Sequence, residues 1–319
     1  MAVYTHLSGE ELASFFDLYD QGTLLSAKGI AEGVENSNYL IDTSSARFIL
    51  TLYEKRVDAG DLPFFLALIE HLADKGLPVP RPIHDRAGNV LQMLGGRPAC
   101  LIEFLKGVSM DEPTPADCHA IGRVLAQLHL AVADFKGTRP NTLSLDGWQT
   151  LAEQCAGRAD EIASGLSGDI AVEIAALADL WPADLPSGVI HADLFPDNAL
   201  FLDHRISGVI DFYFACTDAF AYDLAITHAA WCFSPDGRDY HAENARALLT
   251  GYCEERSLSS AERQAFPLLC RGAALRFTLT RAYDWLNTPA DAMVNRKDPL
   301  AFHRRLQFYR GAGQDLLPQ

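Results

Sequence analysis

The chain has no Cys-x-x-Cys pair, and its seven cysteines are odd in number and scattered at Cys100, Cys118, Cys155, Cys216, Cys232, Cys253 and Cys270. That excludes a zinc ribbon and a redox dithiol. They read as small apolar residues buried in a reducing cytoplasm. No run approaches the ~18 apolar residues of a membrane span. The first residues, Met1-Ala-Val-Tyr-Thr-His-Leu-Ser8, lack a basic start and an apolar core, so no signal peptide is expected. Positive charge is scarce: 26 Lys and Arg face 42 Asp and Glu, a net charge of −16 at pH 7. Nucleic acid, which needs a basic footprint, is excluded as a partner, and so is an anionic membrane surface. The ten histidines show no His-x-His or His-Glu-x-x-His spacing, which removes a metal hydrolase. What remains is ordinary: 49% hydrophobic and 21% charged residues over 319 positions, enough for about two domains with cores of their own.

The pattern along the chain changes once. Ser8-Gly-Glu-Glu11 is a capping box that opens a helix carrying Leu12, Phe15, Phe16 and Tyr19. Strands follow near 23–28, at Asn38-Tyr-Leu-Ile41 and at Phe48-Ile-Leu-Thr-Leu-Tyr53. The last is apolar on both faces apart from Thr51, which suits a central strand. A helix is predicted over 61–75, ended by Gly76. Two more strands are predicted at Val90–Leu94 and Pro98–Phe104. Beyond Lys106-Gly107 the periodicity is helical. Thr114-Pro115 starts one helix, and others are expected near 145–164, 168–181, 220–232, 239–256, 260–286 and 298–310. The expectation is an α+β chain: a small five-stranded domain over 1–105 and a larger helical one over 106–319.

Inside the helical part lies His191-Ala-Asp193-Leu-Phe-Pro-Asp197-Asn198, followed thirteen residues after the Asn by Asp211-Phe212-Tyr213. The pattern H-x-D-x-x-x-x-N and then D-F-x carries what phosphoryl transfer needs. An Asp orients the attacking hydroxyl and takes its proton. An Asn and a second Asp hold Mg²⁺ against the phosphates. Apolar stretches at 188–190, 199–202 and 206–210 flank the motif, so a hairpin is expected to bring Asp193, Asn198 and Asp211 to one end.

In the sheet part, the segment from Lys28 to Asn38 contains Gly29 and Gly33, whose backbone can approach phosphates. Asn36, Ser37 and Asn38 offer further donors. No G-x-x-x-x-G-K-[ST] occurs, so this is not a P-loop enzyme. The backbone from Glu103 to Leu105, at the join of the two domains, is placed to pair with an adenine edge.

Together these residues resemble the aminoglycoside phosphotransferase-like branch of the protein-kinase-like fold. The shared features are N-x-N-Y opening the second strand, the third strand Phe48–Tyr53, Leu128-His129, H-x-D-x-x-x-x-N and Ile210-Asp-Phe. Within the branch the chain is most similar to the homoserine kinase family of the bacterial threonine pathway, through Phe48–Arg56, Leu62-Pro-Phe-Phe65, Gly76–Pro80, Ile210–Phe214 and Ala274–Arg281. The resemblance implies a bilobal fold, ATP and Mg²⁺ as cofactors, and phosphorylation of the L-homoserine hydroxyl. It makes Asp193 the base, Asn198 and Asp211 the metal ligands, and Asp223 a brace for the catalytic loop. The third strand departs from the wider pattern: Thr51 stands where a phosphate-binding cation is usual. Lys55 lies four residues on, roughly 13 Å along an extended strand, and Glu70 on the next helix lacks its usual partner.

Recognition of an amino acid also needs a cation for its carboxylate. Arg271, Arg276 and Arg281 share one late helix, but steps of five turn about 140°, so they do not share a face. Arg276 and Arg281 are favoured, with Tyr213 beside them. Rival readings are a kinase for an aminoglycoside, choline or methylthioribose, and an inactive pseudokinase suggested by Thr51.

Overall fold

The structure, a computed structural model, describes residues 5–30, 36–54, 58–155, 157–288 and 296–317. The chain divides into two compact units. One comprises residues up to Gly107 with 135–137 and 207–213; the other comprises the remainder.

The first unit is built on a five-stranded antiparallel sheet. Its strands are β1 (Leu24–Ile30), β2 (Asn36–Thr43), β3 (Arg47–Tyr53), β4 (Gln92–Leu94) and β5 (Arg97–Glu103), in the order β1-β2-β3-β5-β4. β3 is central and buried along most of its length, as its two-sided apolar sequence requires. Helix α1 (Gly9–Phe16) starts at the expected capping box: Ser8 Oγ accepts from Glu11 N–H, and the Glu11 carboxylate accepts from Ser8 N–H at 2.8 Å. It packs Leu12, Phe15 and Phe16, with Tyr19 just beyond, against Tyr39, Ile41, Phe48, Leu50, Leu52 and Leu101 of the sheet. Helix α2 (Leu62–Asp74) also belongs to this unit, and Gly76 follows it at φ +78.

The second unit holds seven helices among its described residues: α3 (Pro115–Ala131), α4 (Leu145–Cys155), α5 (Leu166–Leu180), α6 (Phe220–Trp231), α7 (Ala242–Glu255), α8 (Ser260–Asn287) and α9 (Leu300–Ala312). The helix expected over 145–164 stops at Cys155. A 3-10 turn at Arg158–Glu161 follows, bracketed by Gly157 and Gly165 in the left-handed region, which breaks the α repeat. Helices α3 and α7 approach closely because each gives a glycine to the contact. A Cβ on Gly122 would strike the Leu248 carbonyl, and one on Gly251 would strike the His119 carbonyl. No helix among the described residues is long and apolar enough to cross a membrane.

Strand β6 (Ser187–Ile190) pairs antiparallel with β9 (Cys216–Ala219). Between them the chain forms β7 (Ala199–Leu202) and β8 (Arg205–Val209). The sequence reading keeps 207–213 with the helical part, but their contacts lie in the sheet unit. Val209 N–H donates to the Pro78 carbonyl at 2.7 Å, and the Tyr213 ring sits edge-on to Tyr53 and Phe65.

Candidate active site

β6 ends at Ile190 and the chain turns at once through His191, Ala192 and Asp193. Ala192 makes the turn with φ +63, a conformation that costs a residue bearing a Cβ about 1–2 kcal/mol. The surroundings hold it there. Asp223, in the first turn of α6 and fully buried, accepts from His191 N–H and from Ala192 N–H, each at 2.8 Å. The Ala192 carbonyl accepts from Arg276 Nη1 at 2.5 Å. Asp193 N–H donates to His191 Nδ1 at 3.2 Å. The Asp193 carbonyl accepts from Phe195 N–H and from Asn198 Nδ2, both at 2.8 Å. Further along, Trp231 Nε1 donates to the Leu194 carbonyl at 2.8 Å. The backbone on both sides of Asp193 is therefore hydrogen-bonded, and Asn198 is tied to the residue it was expected to accompany.

Asp223 is itself part of a buried chain. His129 of α3 lies 2.9 Å from its carboxylate through Nε2 and 2.8 Å from the Tyr252 hydroxyl through Nδ1. Burial pushes the His129 pKa below its ordinary value, so the ring is neutral. A carboxylate only accepts, so Nε2 carries the proton and Nδ1 accepts from Tyr252. Tyr252 in turn accepts from Arg256 Nη1 at 3.1 Å, and Arg256 pairs with Glu262 at 2.8 Å. Burial alone would raise the Asp223 pKa. The hydrogen bonds from the His129 ring and the His191 N–H outweigh it and hold the carboxyl below the usual range. The close α3–α7 contact at Gly122 and Gly251 sets His129 beside Tyr252.

Arg271, Arg276 and Arg281 of α8 meet three environments, as their angular spacing requires. Arg271 pairs with the buried Glu173 at 2.7 Å, and Arg310 takes the other oxygen of the same carboxylate. Arg276, expected at the substrate carboxylate, is 1% exposed and committed to the Ala192 carbonyl, with its guanidinium 4.7 Å from the Phe277 ring centre and 5.6 Å from that of Phe214. Arg281 is half-buried, stacked 4.4 Å over Phe302 and bonded to the Asp298 carbonyl at 3.3 Å. Burial, with Arg305 nearby, brings its pKa down to about 10, while Asp193, Asp197 and Asp298 act in the opposite sense.

In the sheet unit, Asp211 adopts φ +66, a second left-handed residue without glycine. Tyr213, expected beside the substrate, turns its hydroxyl to that of Tyr53 at 3.1 Å. Asn36, Ser37 and Asn38 lie in β2 and not in the loop before it, because the ladder continues through Asn36↔Tyr53 and Asn38↔Thr51. Ser37 is buried, accepts from Thr5 N–H and donates to Glu54, while Asn38 Oδ1 accepts from the Thr51 hydroxyl at 2.8 Å. Thr51 thus joins two strands where a cation was awaited. Gly29 is an exposed residue of β1, whereas Gly33, Lys55 and Arg56 lie outside the described residues. Glu70 has a partner that the sequence did not reveal: His84 Nε2 at 2.5 Å. Glu103 closes β5 with its N–H donated to the Arg81 carbonyl, and Leu105 follows it in open chain.

The chain belongs to the phosphotransferase enzyme family, whose profile matches residues 26–258. It is 56% identical over 310 residues to a homoserine kinase of Xanthobacter autotrophicus, covering 97% of this chain and 96% of the relative. It is 55% identical over 313 residues to a homoserine kinase of Rhizobium etli, covering 98% and 97%. Among solved structures it is similar to a spectinomycin phosphotransferase bound to ADP and spectinomycin, with TM-score 0.72, 14% identity and 98% and 99% of the two chains covered. It is also similar to an amicoumacin kinase bound to AMP-PNP and Ca²⁺, with TM-score 0.70, 15% identity and 97% and 95% covered. At these identities the solved structures establish the fold, which is that of the kinase-like phosphotransferases.

Proposed function

We propose that the chain is an ATP-dependent homoserine kinase, which moves the γ-phosphoryl group of ATP to the side-chain hydroxyl of L-homoserine. The products are O-phosphohomoserine and ADP, and the reaction is a step toward threonine in the cytoplasm. The observation that carries this reading is identity of 53–56% over 97–98% of the chain to relatives bearing that name.

Asp193 takes the role of base. Its carboxylate orients the hydroxyl and accepts its proton as the oxygen bonds to the γ-phosphorus and the bond to the β,γ-bridging oxygen breaks, leaving ADP. Most of the rate comes from alignment, so a loop whose Ala192 and Asp193 N–H and C=O groups are all hydrogen-bonded fits the demand. Asn198 and Asp211 suit a hard cation. The Asn198 amide nitrogen is spent on the Asp193 carbonyl, which leaves its oxygen as the donor, and oxygen ligands with water and phosphate are the set Mg²⁺ prefers. Bound Mg²⁺ would neutralise charge on the phosphates.

For the nucleotide we assign residues 1–105, with the backbone of Gly29, Gly33 and the Asn36–Asn38 stretch near the phosphates and that of Glu103–Leu105 at adenine. Residues 106–319 carry the substrate. Arg281 is the cation for the substrate carboxylate: it is half-buried, weakly bonded and within the field of Asp193. Tyr213 anchors the Asp211 turn through Tyr53.

The test is ADP release from Mg·ATP against L-homoserine, L-serine, choline, methylthioribose and kanamycin, with Asp193→Asn in parallel. Turnover with L-homoserine that falls by about 10²-fold or more in the variant is expected. Turnover with another substrate in its place overturns the substrate assignment.

A further inference from the structure

Arg276 is a fully buried cation with no carboxylate partner among the described residues, and its Nε meets no acceptor there. Its Nη1 donates to the carbonyl of Ala192, the left-handed residue that aims Asp193. The amide side of the same turn is held by Asp223. The turn is thus gripped from opposite sides by an anion that accepts its N–H groups and a cation that donates to its C=O. Removing either grip frees the Ala192–Asp193 peptide to rotate toward an unstrained conformation, and the Asp193 carboxylate moves with it.

We infer that Arg276 is a positioning residue for phosphoryl transfer, acting through the Ala192 carbonyl and not through the substrate carboxylate. The inference rests on the proposed reading of Asp193 as the base. Such a residue affects how often the base is aligned, and leaves the binding of either substrate alone.

Arg276→Met and the charge-keeping Arg276→Lys test it, each assayed with L-homoserine and with 3-aminopropan-1-ol, which lacks the carboxylate. We expect kcat to fall about 10–100-fold in the Met variant, the scale of a small misplacement of a reacting group. KM for ATP and for L-homoserine should stay within about twofold, and the preference for L-homoserine over the amino alcohol should be unchanged. The Lys variant, keeping one donor, should fall between wild type and Met. Hydrogen exchange gives a readout free of turnover: the amides of 191–194 should exchange at least about tenfold faster while those of α6 and α8 keep their protection.

A raised KM for L-homoserine with a collapsed preference would show that Arg276 meets the substrate, and would overturn the inference. So would unchanged exchange in the loop, or loss of protection spread evenly over the second unit, which marks a merely structural residue. If the wild-type protein makes no ADP with L-homoserine, the substrate reading falls. The exchange measurement then decides on Arg276 alone.

Discussion

Replacing Asp223 tests the construction of the catalytic loop most severely. Its carboxylate accepts from three buried donors, the two backbone N–H groups of His191 and Ala192 and the imidazole of His129, at 2.8, 2.8 and 2.9 Å. In Asp223→Ala all three are left without an acceptor, at about 1–3 kcal/mol each. The variant no longer buries a carboxylate, which offsets part of that loss. A net destabilisation of about 3–5 kcal/mol is expected, the scale found when a buried charge loses its partners. Against the 5–15 kcal/mol that typically separates folded from unfolded domains, such a variant is folded but measurably weak. Urea unfolding followed by circular dichroism gives the number, and kcat on the folded fraction should fall by at least about 10²-fold. The acid limb adds a check of sign. The folded carboxyl has a pKa below its ordinary value of 3.8, so its contribution is present above about pH 4 and is lost as the pH falls through the folded value. In the variant that part of the acid dependence should vanish. Stability within about 1 kcal/mol of wild type together with unchanged kcat would refute the idea that Asp223 holds the loop.

Three further outcomes are expected. Burial brings the His228 pKa down from 6.5 to about 3, so the folded state refuses a proton that the unfolded chain takes up. Stability should decline by about 1.4 kcal/mol per pH unit below pH 6.5, and His228→Gln should remove that share of the slope in urea titrations run between pH 7.5 and 5. His129 contributes with the same sign. Gly251→Ala should cost about 1–3 kcal/mol by calorimetry, because its Cβ meets the His119 carbonyl and neither backbone can yield cheaply. Arg281→Met should raise KM for L-homoserine about 10–100-fold, the worth of a hydrogen bond to a charged group, and abolish the preference for L-homoserine over 3-aminopropan-1-ol; unchanged KM would remove Arg281 from the substrate site.

The sheet was legible because its signals are local. β3 announced itself by apolar residues on both faces, α1 by Ser8 and Glu11, and α3 by Thr114 and Pro115. The His191–Asn198 motif stands out in the sequence because its residue types are those that phosphate chemistry calls for. Where the reading went astray, the cause was a neighbour remote in sequence. Asn36 and Ser37 read as loop donors until pairing with Tyr53 and Leu52 drew them into β2. Glu70 seemed orphaned because His84 is fourteen residues away. The helical wheel puts Arg276 and Arg281 on different faces without saying what each face meets, and packing gave one to a backbone carbonyl and left the other near Asp193.

The arrangement also explains why several helices of the second unit converge on one turn. Ala192 is a strained turn with no glycine to relieve it, and strain of this kind persists only where the surroundings over-determine the backbone. Four helices supply that determination: α6 through Asp223, α3 through His129, α7 through Tyr252 and α8 through Arg276. None of these contacts is local, and each depends on a packing feature of its own, such as the paired glycines that seat α3 on α7. A glycine at 192 would make the turn without this support, but it would also let the Asp193 carboxylate wander. The alanine trades conformational ease for a single aim. On that reasoning Ala192→Gly should raise stability slightly or leave it unchanged while lowering kcat, a split that a turn held only for folding would not produce.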